Sequence, residues 1–195
     1  VCVNNYSMAW QMWLHGKDLI HRGLCPNNAS WVGSATYVDG KLGKCCSCTS
    51  SHYIDYTYNF ASTNKFTIAF WIYIPTSLST CNQWERVFSL SEYSISWTSY
   101  NNLKIYDISN NQLWWLDGSV FYDKWVHLTI AHNADTITLY INGDHYSTAN
   151  SVSSPISSGT MHVGNGITDA HGPVKFNDIR LYDHCLSPKE VKEIS

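Results

Sequence analysis

Phe66-Thr67-Ile68-Ala69-Phe70-Trp71-Ile72-Tyr73-Ile74 places a large apolar side chain at every second position. Successive side chains of a strand point to opposite faces, so Phe66, Ile68, Phe70, Ile72 and Ile74 line one face. Thr67, Ala69, Trp71 and Tyr73 line the other, which is therefore partly buried as well. Pro75 ends the run. A strand of this kind has to be covered on both sides.

The rest of the chain supplies the partners. Arg86–Leu90, Tyr93–Trp97, Leu103–Tyr106 and Leu113–Leu116 read as short strands, with turns at Asn101-Asn102, Asn110-Asn111 and Asp117-Gly118. Trp125–Ile130 and Thr136–Ile141 are joined through Asn133-Ala134-Asp135. Asn142-Gly143 then predicts a type I′ hairpin into Asp144–Thr148. Met161–Gly164 and Phe176–Tyr182 close the strand set after a Ser/Pro/Gly loop. One short helix is expected: Ser187-Pro188-Lys189-Glu190 is a capping box with Pro at the first helical position. Short strands at regular spacing indicate an all-β sandwich or barrel. No linker, repeat or composition break divides the chain, so residues 1–195 are expected to form one domain.

Composition excludes several classes of function. Only 14% of residues are charged, against about 25% in an average domain, while 9 Trp and 13 Tyr are present. The net charge is -3 and the 12 Lys and Arg are dispersed, which argues against a nucleic-acid surface. No run is long and apolar enough to span a membrane. The sequence starts at Val1 rather than Met, as expected of a processed chain or a piece of a longer one.

Seven cysteines cannot all pair with one another. Cys2 and Cys25 would bridge only in an oxidising compartment. Cys45-Cys46-Ser47-Cys48 invites a zinc reading, but no second pair answers it, and small buried side chains are the better expectation.

These residues resemble a known family. Phe66–Trp71 is similar to the "F-T-h-x-F-W" strand of the concanavalin A-like lectin/glucanase superfamily, in its laminin-G-like and pentraxin-like branch (h, hydrophobic). Trp125-Val126-His127-Leu128 with Leu139–Gly143 resembles its "W-x-H-h … L-Y-h-N-G" pair. Phe176–Glu190 resembles the closing "D-h-R-h-Y-x-x-A-L-S-x-x-E" signature, and Tyr37–Cys46 its opening strand. The matches run in family order over residues 36 to 194. The resemblance implies a two-sheet antiparallel jelly roll. It also implies that Cys45, Cys46 and Cys185 fill packing positions.

The fold hosts enzymes and binders alike, so chemistry must be argued from residues. A retaining glycosidase needs two carboxyl groups about 5 Å apart. Family hydrolases place them as Glu-x-Asp-x-x-Glu, but Glu85, Glu92, Glu190 and Glu193 do not form that pattern. No Gly-x-Ser-x-Gly elbow occurs. His127 is expected to be a packed, hydrogen-bonded residue rather than a catalytic base. The resemblance implies calcium at the sandwich rim, with Asp169 the candidate ligand, and Asp144 and Asp178 read as turn and structural positions. His162, Asp169 and His171 form a weaker metal set.

Sugar binding needs an aromatic platform beside Asn, Asp or Gln. Trp84, Tyr93, Trp97, Tyr100, Asn101, Asn102, Trp114 and Trp115 are the expected ligand-binding residues. Neighbours on a strand face opposite ways, so with one of Trp114 and Trp115 in the core the other is either exposed or covered by a loop. The expected function is a non-catalytic module that binds a glycan or cell-surface polymer for adhesion or host attachment. The alternative is a structural or decoration domain packed against sister subunits. Similar modules occur on bacteriophage fibres and bacterial surface proteins, so an extracellular or virion-surface location is expected. Asn5-Tyr6-Ser7 and Asn28-Ala29-Ser30 are sequons that matter only in a eukaryotic secretory route.

Overall fold

A computed structural model describes residues 13–15, 29–34, 36–80, 85–90, 93–98, 101–107, 111–150, 156–166 and 173–195. The strands are β1 (Trp13–His15), β2 (Ala29–Val32), β3 (Tyr37–Asp39), β4 (Lys44–Cys48), β5 (Tyr53–Thr63), β6 (Lys65–Tyr73), β7 (Glu85–Leu90) and β8 (Tyr93–Thr98). They continue as β9 (Asn102–Tyr106), β10 (Gln112–Asp117), β11 (Trp125–Asn133), β12 (Thr136–Ile141), β13 (Asp144–Asn150), β14 (Ile156–Gly166) and β15 (Val174–Tyr182), followed by helix α1 (Pro188–Ile194).

They form two sheets. Sheet A runs β13-β12-β11-β6-β15-β4-β3, with β1 pairing in parallel to the far half of β15. Sheet B runs β10-β9-β8-β7-β14-β5-β2. Apart from β1, the pairings are antiparallel, as a jelly-roll sandwich requires.

The core is the contact between the two inner faces. Phe66, Ile68, Phe70 and Ile72 of β6 are at most 1% exposed, as are Phe88, Ile95 and Leu103 of sheet B. Phe70 stacks on Phe88 across the sandwich with ring centroids 5.0 Å apart. Phe66 meets Tyr93 edge-on at 5.4 Å. Each such side chain contributes roughly 1.5–3 kcal/mol by leaving water.

The expected strands are present, but β1, β2, β5 and the β3–β4 hairpin were not anticipated, and β14 starts at Ile156, inside the segment expected to be loop. The opening strand is a hairpin: Gly40 N–H donates to the Gly43 carbonyl at 2.7 Å and splits Tyr37–Cys46 into β3 and β4. The long strand β5 was also missed, although Ile54, Tyr56 and Tyr58 alternate inward against Asp55 and Thr57. Cys45, Cys46 and Cys48 are fully buried, and the Cys46 thiol donates to the Phe176 carbonyl. Burial pushes the Cys45 thiol up to about 11. Cys185 is half-buried beside the smaller cluster described next. Cys2 and Cys25 lie outside the described residues.

Helix α1 lies on the outer face of sheet A. Ser187 Oγ accepts from Glu190 N–H and the Glu190 carboxylate accepts from Ser187 N–H at 2.7 Å, completing the capping box. Val191 and Leu186 pack on Tyr140, Ala131 and Tyr182. Lys192 Nζ donates to Asp144 at 2.8 Å and ties the helix to the β12–β13 hairpin. No helix among the described residues is long and apolar enough to cross a membrane.

The β12–β13 turn has φ of 53° at Asn142 and 79° at Gly143, the two positive values of a type I′ turn. A Cβ on Gly143 would come within 2.2 Å of Ser195 Oγ. Gly143→Ala is therefore expected to cost about 1–2 kcal/mol in urea denaturation. A cost below about 0.5 kcal/mol would contradict this turn geometry.

His127 is fully buried, its Nδ1 lies 3.4 Å from Thr129 Oγ1, and its Nε2 has no hydrogen-bond partner among the described residues. Burial, aided by the Arg180 guanidinium, pushes its pKa down to about 4. The unfolded chain protonates His127 near its ordinary pKa of about 6.5, whereas the native state resists until about 4. Between those values the unfolded state binds more protons, so stability falls as pH falls, by on the order of 3 kcal/mol. Denaturation curves from pH 7 to 4 should show that decline, and His127→Asn should flatten it. A flat profile in the unsubstituted protein would contradict a neutral, buried His127.

Candidate functional site

The register of sheet B fixes which side chains share its outer face. Trp115 of β10 lies opposite Lys104 of β9, Lys104 opposite Ser96 of β8, and Ser96 opposite Arg86 of β7. A second row runs beside it: Gln112, Tyr106, Ser94, Ser89, His162, Asp55 and Ser30, one from each of the seven strands. Both rows are polar or aromatic throughout.

Their exposure is uneven. Ser89 and Ser96 are only 6% and 7% exposed, and Ser94 is half-buried, although all three point outward. Trp115 is 52% exposed, and Arg86 and Gln112 are exposed. Short hydroxyl side chains on β7 and β8 thus make the floor of a trough. Trp115, Lys104 and Tyr106 bound it on the β9–β10 side. Arg86, His162 and Asp55 bound it on the other.

The polar groups along the trough are held in place. Lys104 Nζ sits 4.4 Å from the centre of the Trp115 ring, a cation–π contact that fixes the indole. His162 Nδ1 lies 2.5 Å from Asp55 Oδ1. Burial raises the Tyr106 phenol above its ordinary range, and it is protonated at neutral pH as any tyrosine is. An exposed indole beside hydroxyls and fixed charges matches the apolar and hydroxylated sides of a pyranose ring.

The expected binding residues divide sharply. Trp115 is presented and Trp114 is 7% exposed in the core, the split that alternation demands. Tyr93, Trp97 and Trp114 do not present rings to solvent, which corrects the expectation that they line a ligand site. Tyr93, Ile95 and Trp97 share the inward parity of β8, leaving Ser94 and Ser96 outward. Trp97 is fully buried, and its indole N–H donates to the Leu78 carbonyl at 3.2 Å. Tyr93 packs edge-on against Phe66 and His132.

Asn101 adopts a φ of 57° in the β8–β9 turn, and its carbonyl accepts from Gly118 N–H at 2.8 Å. Asn102 is half-buried between Thr98 and Asp117. Both lie at the end of the sheet beyond Trp115. Trp84, Tyr100, Asp169 and His171 lie outside the described residues.

Sequence reading missed Arg86, Lys104, the three serines and the His162–Asp55 pair. The signal was the alternation of Ser94 and Ser96 with Ile95 and Trp97. The other calcium candidates are engaged elsewhere: Asp144 with Lys192, and Asp178 with Arg180 through two hydrogen bonds of 3.0 and 2.6 Å. Among the described residues no group of three or more His, Cys, Asp or Glu is placed to hold a metal ion.

Comparison with known proteins agrees with this architecture. A laminin-G-type family model, described as concanavalin A-like lectin/glucanases superfamily, matches residues 49–192. Among solved structures, the receptor-binding domain of botulinum neurotoxin C/D mosaic serotype superposes with a TM-score of 0.71 at 17% identity, covering 85% of this chain and 45% of that one. The binding domain of Paraclostridial Mosquitocidal Protein 1 gives 0.67 at 22%, covering 86% and 46%. The botulinum neurotoxin serotype D ligand-binding domain, solved in complex with N-acetylneuraminic acid, gives 0.70 at 16%, covering 85% and 45%. The chain therefore spans less than half the length of these structures, and identity at this level speaks for the fold. No curated relative is found by sequence. With two jelly-roll sheets, the W-x-H and Asn-Gly strand pair and a family model spanning most of its length, the chain belongs to the laminin-G-like branch of the concanavalin A-like lectin/glucanase superfamily.

Proposed function

We propose that this chain is a non-catalytic recognition module that binds a glycan or cell-surface polymer in the trough of sheet B, for adhesion or host attachment outside the cell. The observation that carries the proposal is Trp115: a half-exposed indole, fixed by Lys104, at the end of a hydroxyl-floored trough. The similar structures are receptor-binding, binding and ligand-binding domains, which supports a recognition role for this fold.

Carboxylate placement supports binding over cleavage. Among the described residues, the strands of sheet B project Asp55 and Asp117 on this face, from β5 and β10. Those strands are five steps apart in the sheet, or about 24 Å at ~4.8 Å per strand. Paired glycosidase carboxyls stand roughly 5–9.5 Å apart. Glu85 is on the inward side of β7.

Titration of the isolated chain against an oligosaccharide panel tests the proposal. Trp115→Ala should weaken binding at least about tenfold, or ~1.4 kcal/mol. The exposed position should keep the change in stability within about 0.5 kcal/mol. Trp114→Ala, by contrast, should cost about 3–5 kcal/mol of stability, because it empties a core position. No binding to any saccharide, together with a stable oligomer in solution, would overturn the proposal in favour of a packing role among sister subunits.

A further inference from the structure

Resting on that reading, we infer that the saccharide taken by the sheet B trough is acidic, with a carboxylate or sulfate seated above Ser96 between Lys104 and Arg86. The register places these three residues side by side on β9, β8 and β7. The two cations are thus two strand spacings apart at the backbone, about 9.6 Å. Ser96 carries only a hydroxymethyl group, so Arg86 has no bulky neighbour on β8 in this row, and the Lys104 ammonium lies on the far side of Ser96, over the Trp115 ring. An anionic group held by Arg86 there has the serine hydroxyl beside it as a further donor.

The local charge runs against that of the whole chain. The net charge is -3, yet the first row carries Lys104 and Arg86 and no acid. In the adjoining row the one carboxylate, Asp55, is held by His162. Asp117 lies beyond Trp115 at the edge strand, where its carboxylate caps Ser119 N–H at 2.9 Å. Arg86 is exposed and makes no ion pair among the described residues, so its planar fork of donors is available to an oxyanion. Lys104 is 8% exposed and lies along the Trp115 ring. The positive charge therefore sits where a sugar ring stacked on the indole would project a substituent. In this arrangement the indole takes the ring, Arg86 and Ser96 take the anionic substituent, and Lys104 contributes field.

Matched pairs of probes separate this inference from the one it rests on. Lactose is compared with sialyllactose, and a neutral oligosaccharide with its sulfated form, by calorimetric titration against the full chain. The acidic member of at least one pair should bind about tenfold more tightly, the size of one charge-assisted hydrogen bond. Whether the carboxylated or the sulfated pair shows it identifies the anion. Arg86→Ala should collapse that acidic-over-neutral ratio towards one, and Arg86→Lys should retain part of it. Raising ionic strength should lower the ratio in the same direction. The position is exposed, so both variants should keep the native melting curve. Equal binding of neutral and acidic members, lost on Trp115→Ala, would overturn the acidic assignment and leave the trough standing. A preference that survives Arg86→Ala would also overturn it. Failure of every probe to bind would remove the trough reading itself.

Discussion

The contact between the inner faces of the two sheets sets everything else in this molecule. Phe70 on β6 stacks against Phe88 on β7 at 5.0 Å, with Phe66 against Tyr93 beside it. Once Ile95 and Trp97 are committed to that core, strand geometry leaves Ser94 and Ser96 no choice but the outer face. The same parity sends Trp114 inward and Trp115 outward. A one-residue slip of β8 would exchange serines for Ile95 and Trp97 on the solvent side, so burial itself guards the register of the trough.

The two outer faces have different fates. On sheet A, helix α1 covers Ala131, Tyr140 and Tyr182, and lysine ammonium groups lie over half-buried rings: Lys41 over Trp71 at 4.9 Å and Lys175 over Tyr73 at 4.5 Å. Asn177 of β15 pins the β3–β4 turn there by accepting from Leu42 N–H and donating to the Lys44 carbonyl. His127 is sealed beneath this layer against Trp71. This part of sheet A is thus occupied by its own chain. On sheet B, no described helix crosses the outer face, and its polar rows are built from short hydroxyls and fixed charges.

Much of this was legible in the sequence, because it depends on side-chain period and turn chemistry. The strand at β6, the Asn142-Gly143 turn and the Ser187–Glu190 capping box follow from local rules and occur as expected. The proposed binding face was legible only in part. Counting aromatics in the segment from Trp84 to Trp115 pointed to the strands that carry Trp115, but residue type alone favours Trp97 and Tyr93, which the core claims. Small polar residues such as Ser89, Ser94 and Ser96 carry no chemical signature until cross-strand pairing lines them up. His162 and Asp55 are 107 positions apart in the chain, and only the pairing of β14 with β5 brings them together. The hairpin at Gly40–Gly43 was hidden because a strand and its return can share one family motif.

Backbone amide shift mapping during saccharide titration tests the central claim most directly. If the trough is the binding site, perturbed amides should cluster on β7, β8, β9 and β10, centred on Arg86, Ser96, Lys104 and Trp115, with sheet A unchanged. Saturable perturbations confined to sheet A, around Trp71, Tyr73 and Trp125, would contradict the account.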